Sequence, residues 1–268
     1  MLRLYQCMLV KNRWYKSGIV TAMTHIVVHS SGANNPTLKR YIQPAIRQTK
    51  GMAQLFPEQR SMNYYQMLSL LGTNEYANDW NRASQKYGMH AWIGKDANGE
   101  VAAVQTLPWA SYLWGCGTGV NGSYNTAAIQ FEISEDTTDA AYTKAAYRQA
   151  VELCAYLCKE FDIPVENIVS HKEAGASGWG DRHVDPEHWW SLYGYTMTGF
   201  RRDVQELISG EEVDPVRYQT VEQLPEWAKA TVQKLLDQGI LQGTGTGLDL
   251  SADMVRMLVI LDRAGNFD

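Results

Sequence analysis

The stretch "THIVVHSSG", residues 24–32, decides the fold. A β-branched run gives way to small polar residues, so it reads as a short strand over residues 24–29 with His29 at its carboxyl end. "ENIVSH", residues 166–171, has the same form and also ends in a histidine, His171. "TAAIQFEIS", residues 126–134, reads as a third strand. "MHAWIGKDANGEVAAVQ", residues 89–105, reads as a hairpin with a polar Asp-Ala-Asn-Gly turn. The clearest helix covers residues 139–161, where Tyr147, Ala150, Val151, Cys154, Leu157, Cys158 and Phe161 recur at steps of three and four. Ile163-Pro164 ends it. Strands alternating with helices predict an α/β domain, a central mixed β-sheet flanked by helices.

The chain has 268 residues, long enough for one large domain and one small one. Its net charge of −5 gives no reason to expect a nucleic acid or a membrane as partner. The charge is uneven. Residues 211–268 hold ten of the 29 acids and only five of the 24 bases, so the remainder is neutral. That asymmetry sets the expected domains: 1–209, a linker at 210–218 around "SGEEVDP", and a small helical module at 219–268. In the module, two amphipathic helices flank "LQGTGTGLDL", and Trp227, Val232, Leu235 and Leu236 form an apolar stripe that should pack on something.

The amino-terminal "MLRLYQCMLVKNRWYKSG" lacks the pattern of a signal peptide, and no apolar run approaches the roughly 20 residues of a membrane span. Synthesis and folding in a reducing cytosol are therefore expected. The four cysteines do not form a disulfide framework, and Cys154 and Cys158 read as buried apolar residues.

Two histidines at the carboxyl ends of separate strands point to one edge of an α/β sheet, where functional groups gather. A catalytic zinc needs three protein ligands and an open position for water. His29 and His171 supply two, and "RHVDPEHWW", residues 182–190, offers the third. In an extended segment, residues two apart face the same side, so His183 and Asp185 share one cavity and either could bind. Pro186 stiffens the backbone beside them. A proton acceptor is also needed. Glu132 alternates with Phe131 and Ile133, so it projects from the face opposite the core. A mid-strand glutamate is unusual enough to mark it as the candidate base. His25 and His90 read as structural, and His188 as surface or supporting. Trp109, Trp114 and Trp179 read equally as groove walls or as partly buried core aromatics, while Trp189 and Trp190 read as core anchors.

These segments, with "KNRWYKSG" (11–18), "VVHSSGANNPTLKRYIQP" (27–44), "VQTLPW" (104–109), "VELCAYLCKEFDI" (151–163) and "VSHKEAG" (169–175), follow the order seen in a known family. The chain resembles the zinc-dependent N-acetylmuramoyl-L-alanine amidases, the family of bacteriophage lysozyme-amidases and peptidoglycan recognition proteins. It is most similar to phage and prophage endolysins. The resemblance implies Zn2+ on His29, His171 and Asp185, with Glu132 as catalytic base and His183 stabilising the oxyanion. It implies bacterial peptidoglycan as substrate, cleaved between N-acetylmuramic acid and L-alanine. Release to the wall would come through a holin-type pore or lysis. Gly115 stands where many relatives carry a groove histidine. The other class of function in this family is a non-catalytic peptidoglycan-binding module. The tail, "PEWAKATVQKLLDQGILQGTGTG" (225–247) and "SADMVRMLVILDRAG" (251–265), resembles a single S-layer-homology-like unit, which implies wall binding; a homo-oligomerisation piece is the alternative.

Overall fold

The computed structural model describes residues 1–210, 217–245 and 247–267. Met1–Ile208 and Ser209–Asp268 form two compact units. Residues 211–216, most of the expected linker, lie outside the described residues.

The strands of the first unit are β1 (Leu4–Cys7), β2 (His25–Asn34), β3 (Met52–Phe56), β4 (Arg60–Ser61), β5 (Ala91–Lys95), β6 (Val101–Gln105), β7 (Ala128–Glu135) and β8 (Ile168–Ser170). Its helices are α1 (Arg13–Ser17), α2 (Tyr64–Leu71), α3 (Ala140–Phe161), α4 (His171–Ala176), α5 (Glu187–Trp190) and α6 (Met197–Ser209). The second unit contains α7 (Glu226–Asp237) and α8 (Ala252–Arg263). All eight strands join one mixed sheet in the order β4-β3-β1-β6-β5-β7-β2-β8. β5, β7, β2 and β8 run parallel, whereas β5 and β6 form the antiparallel hairpin expected from the Asp-Ala-Asn-Gly turn. β1, β3 and β4 are additional to the strands read from sequence. They are short and lie towards one edge of the sheet, with too few residues to establish a period.

One face of the sheet packs on α3. Ile26, Val28, Ile129, Phe131 and Ile133 share a core with Ala146, Ala150, Cys154 and Leu157. Trp189, Trp190 and Phe200 complete it, with the indole ring of Trp190 5.1 Å from the ring of Phe200. The α3 stripe is therefore the core stripe, and Cys154 and Cys158 are buried thiols within it. On the other side, Leu38, Tyr41, Ile42, Met67 and Leu71 cover Trp92 and Val104. A sheet covered on both faces buries even the polar positions of its strands, and every residue of β7 is buried. Gln130, Glu132 and Ser134 alternate with the core residues and so fall on the second face. Buried polar groups need partners or a task. These residues begin the site.

The second unit has its own small core of Leu224, Ala228, Val232, Leu250, Val255 and Val259. Val232 and Leu235 of the expected stripe are buried, but Trp227 is 49% exposed. Lys234 bridges to Asp262 at 2.9 Å, tying α7 to α8. Among the described residues, no helix is long and apolar enough to cross a membrane.

Candidate active site

Strand register assembles the site. β2 lies between β7 and β8, and all three are parallel. His29 is level with Glu132 on β7, and Val28 is level with Ser170 on β8. The residue after Ser170 is His171, so Glu132, His29 and His171 reach one edge on adjacent chains, about 4.8 Å apart per strand. His171 is the first residue of α4 rather than the last residue of the strand, and a helix stands where the sequence suggested a loop. Ser170 Oγ accepts from the Glu173 N–H at 3.0 Å, and Glu173 Oε2 accepts from the Ser170 N–H at 3.1 Å. This capping box was legible in "SHKE" as Ser followed three residues later by Glu. Arg201 holds Glu173 from α6 at 2.8 and 3.0 Å.

Asp185 arrives on the loop after α4. Its carbonyl accepts from the Lys172 N–H at 3.2 Å, and its Oδ2 accepts from the Ser30 N–H at 3.3 Å. Donor atoms of three side chains then converge. His29 Nδ1 lies 3.1 Å from His171 Nδ1 and 3.4 Å from Asp185 Oδ2, and His171 Nδ1 lies 3.3 Å from Asp185 Oδ1. A tetrahedral zinc with ligand bonds of about 2.0–2.1 Å has ligand-to-ligand edges of about 3.3 Å. The triangle of side chains therefore has contacts close to the edges of such a site, with the carboxylate turning a different oxygen to each histidine.

The chemistry of the set agrees with its size. His29 Nε2 is 3.0 Å from Gln130 Oε1, and His171 Nε2 is 2.9 Å from Asp181 Oδ1. Both partners are acceptors, so each Nε2 carries a hydrogen, and each ring in the neutral form a metal ligand needs turns its Nδ1 lone pair inward. Two lone pairs and a carboxylate facing one another, all buried, call for a cation. Zinc fits these residues.

His183 stacks flat on His171, with ring centroids 4.0 Å apart, and its Nδ1 is 3.1 Å from Asp185 Oδ1. It is half exposed, so it sits at the rim, while His29, His171, Asp185 and Glu132 are buried. These five residues line one cavity of about 510 Å3, with Trp80, Tyr87, Met89 and Trp114 as an apolar wall. Trp109 and Trp179 do not line it. Trp109 packs against the sheet core, and Trp179 lies against Tyr124 at 5.8 Å and close over Gly122. An aromatic residue in a loop carries no signal for which side it will face, so only Trp114 of the three expected groove tryptophans reaches the cavity. His188 also lines this cavity, with Nε2 3.2 Å from the buried Glu135.

Sequence reasoning missed Asp181 and Gln130, although both follow the alternation already in use. Asp181 is two positions before His183, and Gln130 is two before Glu132. Trp80 and Tyr87 lie in an irregular segment with no period to read.

A family model described as N-acetylmuramoyl-L-alanine amidase matches residues 20–188. The chain belongs to that family. The curated N-acetylmuramoyl-L-alanine amidase CwlA of a Bacillus species is 32% identical over 83 residues, which is 31% of this chain. That match spans only 33% of the relative's length. Among solved structures, PlyL is 17% identical with a TM-score of 0.42, over 69% of this chain and 86% of that one. The Staphylococcus aureus hydrolase AmiA, solved with its ligand, is 16% identical with a TM-score of 0.45, over 73% and 78%. The amidase-family match contains His29, Glu132, His171, His183 and Asp185 within its bounds and ends at His188. The second unit lies outside it.

Electrostatics separate the two acids of this amidase-family site. Burial, followed by the nearby charges of Asp185 and Glu135, pushes the Glu132 carboxyl well above the usual carboxylate range. Burial acts on Asp185 in the same direction, but hydrogen bonds and charges from His171 and His29 in their protonated form outweigh it and hold Asp185 well below that range. One acid is therefore poised to hold a proton and the other to stay ionised.

His90 lies below this layer. Its Nδ1 accepts from the Gln130 N–H and its Nε2–H donates to the Ser111 carbonyl, both at 2.9 Å. Burial outweighs those bonds and lowers its pKa to about 4 from an ordinary 6.5. The unfolded chain thus takes up this proton first as pH falls. The stability contribution is complete above about pH 6.5 and is lost between about 6.5 and 4, with about 2 kcal/mol gone by about pH 5. Denaturant melts at the two ends of that window should show a smaller loss for His90→Gln than for the natural chain. Equal losses would remove His90 as the source.

Proposed function

We propose that the chain hydrolyses the amide between N-acetylmuramic acid and L-alanine in bacterial peptidoglycan, using zinc held by His29, His171 and Asp185. The observation that carries this reading is the triangle of these three side chains, whose facing nitrogens and carboxylate oxygens lie 3.1–3.4 Å apart, with Glu132 buried in the same cavity. When bound, zinc supplies Lewis acidity, polarising the scissile carbonyl and making a water easier to deprotonate. Glu132 takes the proton from the attacking water. Its raised affinity for protons lets it keep that proton until the amine leaves, and then deliver it. His183, anchored through Nδ1 on Asp185, donates to the oxyanion that forms on the carbonyl. Trp80, Tyr87 and Trp114 offer flat faces for a sugar ring or stem peptide.

Against a binding-only role stands Glu132. Recognition alone gives no reason to bury a carboxylate beside two others. The endolysin-type assignment rests on the resemblance of the motifs. For residues 219–268 we favour wall attachment over self-association.

Dye-labelled cell walls test the whole reading. Release should need one zinc per chain, stop with a chelator and return when zinc is restored. The products should carry new L-alanine amino termini. Release that ignores the chelator, or products with new reducing sugars, would sink the amidase assignment. In the same assay residues 1–209 alone should act more slowly on intact walls but equally on soluble muropeptide. Equal rates on both remove the wall-attachment role.

A further inference from the structure

We propose that Asn125 is a positioning residue that sets the tautomer of His29 through Gln130, and thereby the affinity of the site for its metal. This rests on the metal-site reading above. The N–H groups of Gly115 and Cys116 both point at Asn125 Oδ1, each at 2.9 Å. Only an oxygen can receive two amide hydrogens, so the orientation of the Asn125 amide is fixed. Its Nδ2 donates to the Gly117 carbonyl at 2.9 Å, which also receives the Ser123 hydroxyl.

The same Oδ1 lies 3.1 Å from Gln130 Nε2. The nitrogen of Gln130 therefore faces Asn125, and its oxygen faces His29 Nε2 at 3.0 Å. An acceptor at that position requires a hydrogen on Nε2, and a neutral imidazole then has its lone pair on Nδ1. Nδ1 is the atom that meets His171 and Asp185. Had Gln130 been turned over, its NH2 would face Nε2, and the hydrogen of His29 would sit on Nδ1, inside the donor triangle. The backbone amides of residues 115 and 116 thus dictate, two side chains away, which nitrogen of His29 is free to bind.

The surroundings hold the relay in place. Asn125, Gln130 and His29 are all buried, so water does not compete for their bonds. Gln130 is anchored through its own N–H on His90. Gly115 leaves the space the amide needs, since a Cβ there would lie 2.6 Å from Gln130 Oε1. His171 is oriented differently, by the half-exposed carboxylate of Asp181. The two histidines of the triangle therefore answer to separate devices, and only the His29 arm runs through Asn125.

The test uses full-length Asn125→Ala and Gln130→Met, the second leaving the Asn125 bonds to the backbone intact. Zinc affinity is measured by competition with a chromophoric chelator, and the imidazole 15N spectrum is recorded on metal-free protein at alkaline pH. Each variant should bind zinc about 10–100-fold more weakly, as is usual when an outer partner of a ligating histidine is lost. The natural chain should show His29 protonated at Nε2, and Asn125→Ala should show a mixed or reversed tautomer. Unchanged zinc affinity in both variants overturns the proposal. A loss of affinity with the Nε2 proton still in place in both also overturns it, because the effect then runs by another route. If the natural chain binds no zinc, the metal reading fails, while the tautomer spectra still decide the relay.

Discussion

Asp185→Ala is expected to bring bound zinc from stoichiometric to background after dialysis, and wall hydrolysis with it. The loss is large because Asp185 is the only anionic member of the triangle. Two neutral imidazoles remain, one short of the three protein ligands a catalytic zinc needs. Other groups lose a partner too: the Ser30 N–H, His183 Nδ1, and the two histidines whose charge interactions hold Asp185 ionised. The fold should survive, since the side chain lies at the sheet edge and not in the α3 core. Metal analysis beside a melting curve checks both halves. Zinc retained at one per chain would move the site to the neighbouring set of His171, Asp181 and His183, whose ligand atoms also lie close together.

Glu132→Gln should give the opposite separation: zinc retained and turnover lost. The substitution keeps size and removes the proton acceptor. Loss of a positioned general base costs about 10²–10⁴-fold in rate. It should not cost stability, because Glu132 is held against burial and against the charges of Asp185 and Glu135. Removing one of three neighbouring acids relieves that repulsion, so the melting temperature should hold or rise. A single-turnover assay on zinc-loaded protein, with the melt recorded on the same sample, reads both effects. A fully active Glu132→Gln protein would exclude Glu132 as the base.

Much of the site was legible because it depends on local periods. "THIVVHSSG" and "TAAIQFEIS" show two strands and which residues share a face, and Glu132 was found from that alternation alone, but β2 runs on to Asn34, past the expected end at His29, because the small polar residues after it keep an extended backbone. What alternation cannot show is which strand lies beside which. The order β7-β2-β8, which brings Glu132, His29 and His171 together, is a long-range pairing of segments more than 100 residues apart in chain position for β2 with each neighbour. The choice between His183 and Asp185 as third ligand was likewise open at the level of spacing. It turns on the side-chain geometry that puts a carboxylate oxygen 3.3–3.4 Å from each Nδ1. Asn125 was beyond reach for a similar reason. Its part depends on two backbone amides nine and ten residues earlier in the chain, in a loop with no regular pattern. The tryptophans show the same limit, since hydrophobic character marks Trp109, Trp114 and Trp179 alike but only Trp114 reaches the cavity.

The sheet edge fixes two of the three donors, because His29 rides on a paired backbone ladder and His171 directly follows one at Ser170, whereas Asp185 is carried by a loop. An engineer wishing to retune this centre for a softer ion therefore has one natural handle. Exchanging the side chain at position 185 alters the donor chemistry while the scaffold that spaces the imidazoles stays as it is.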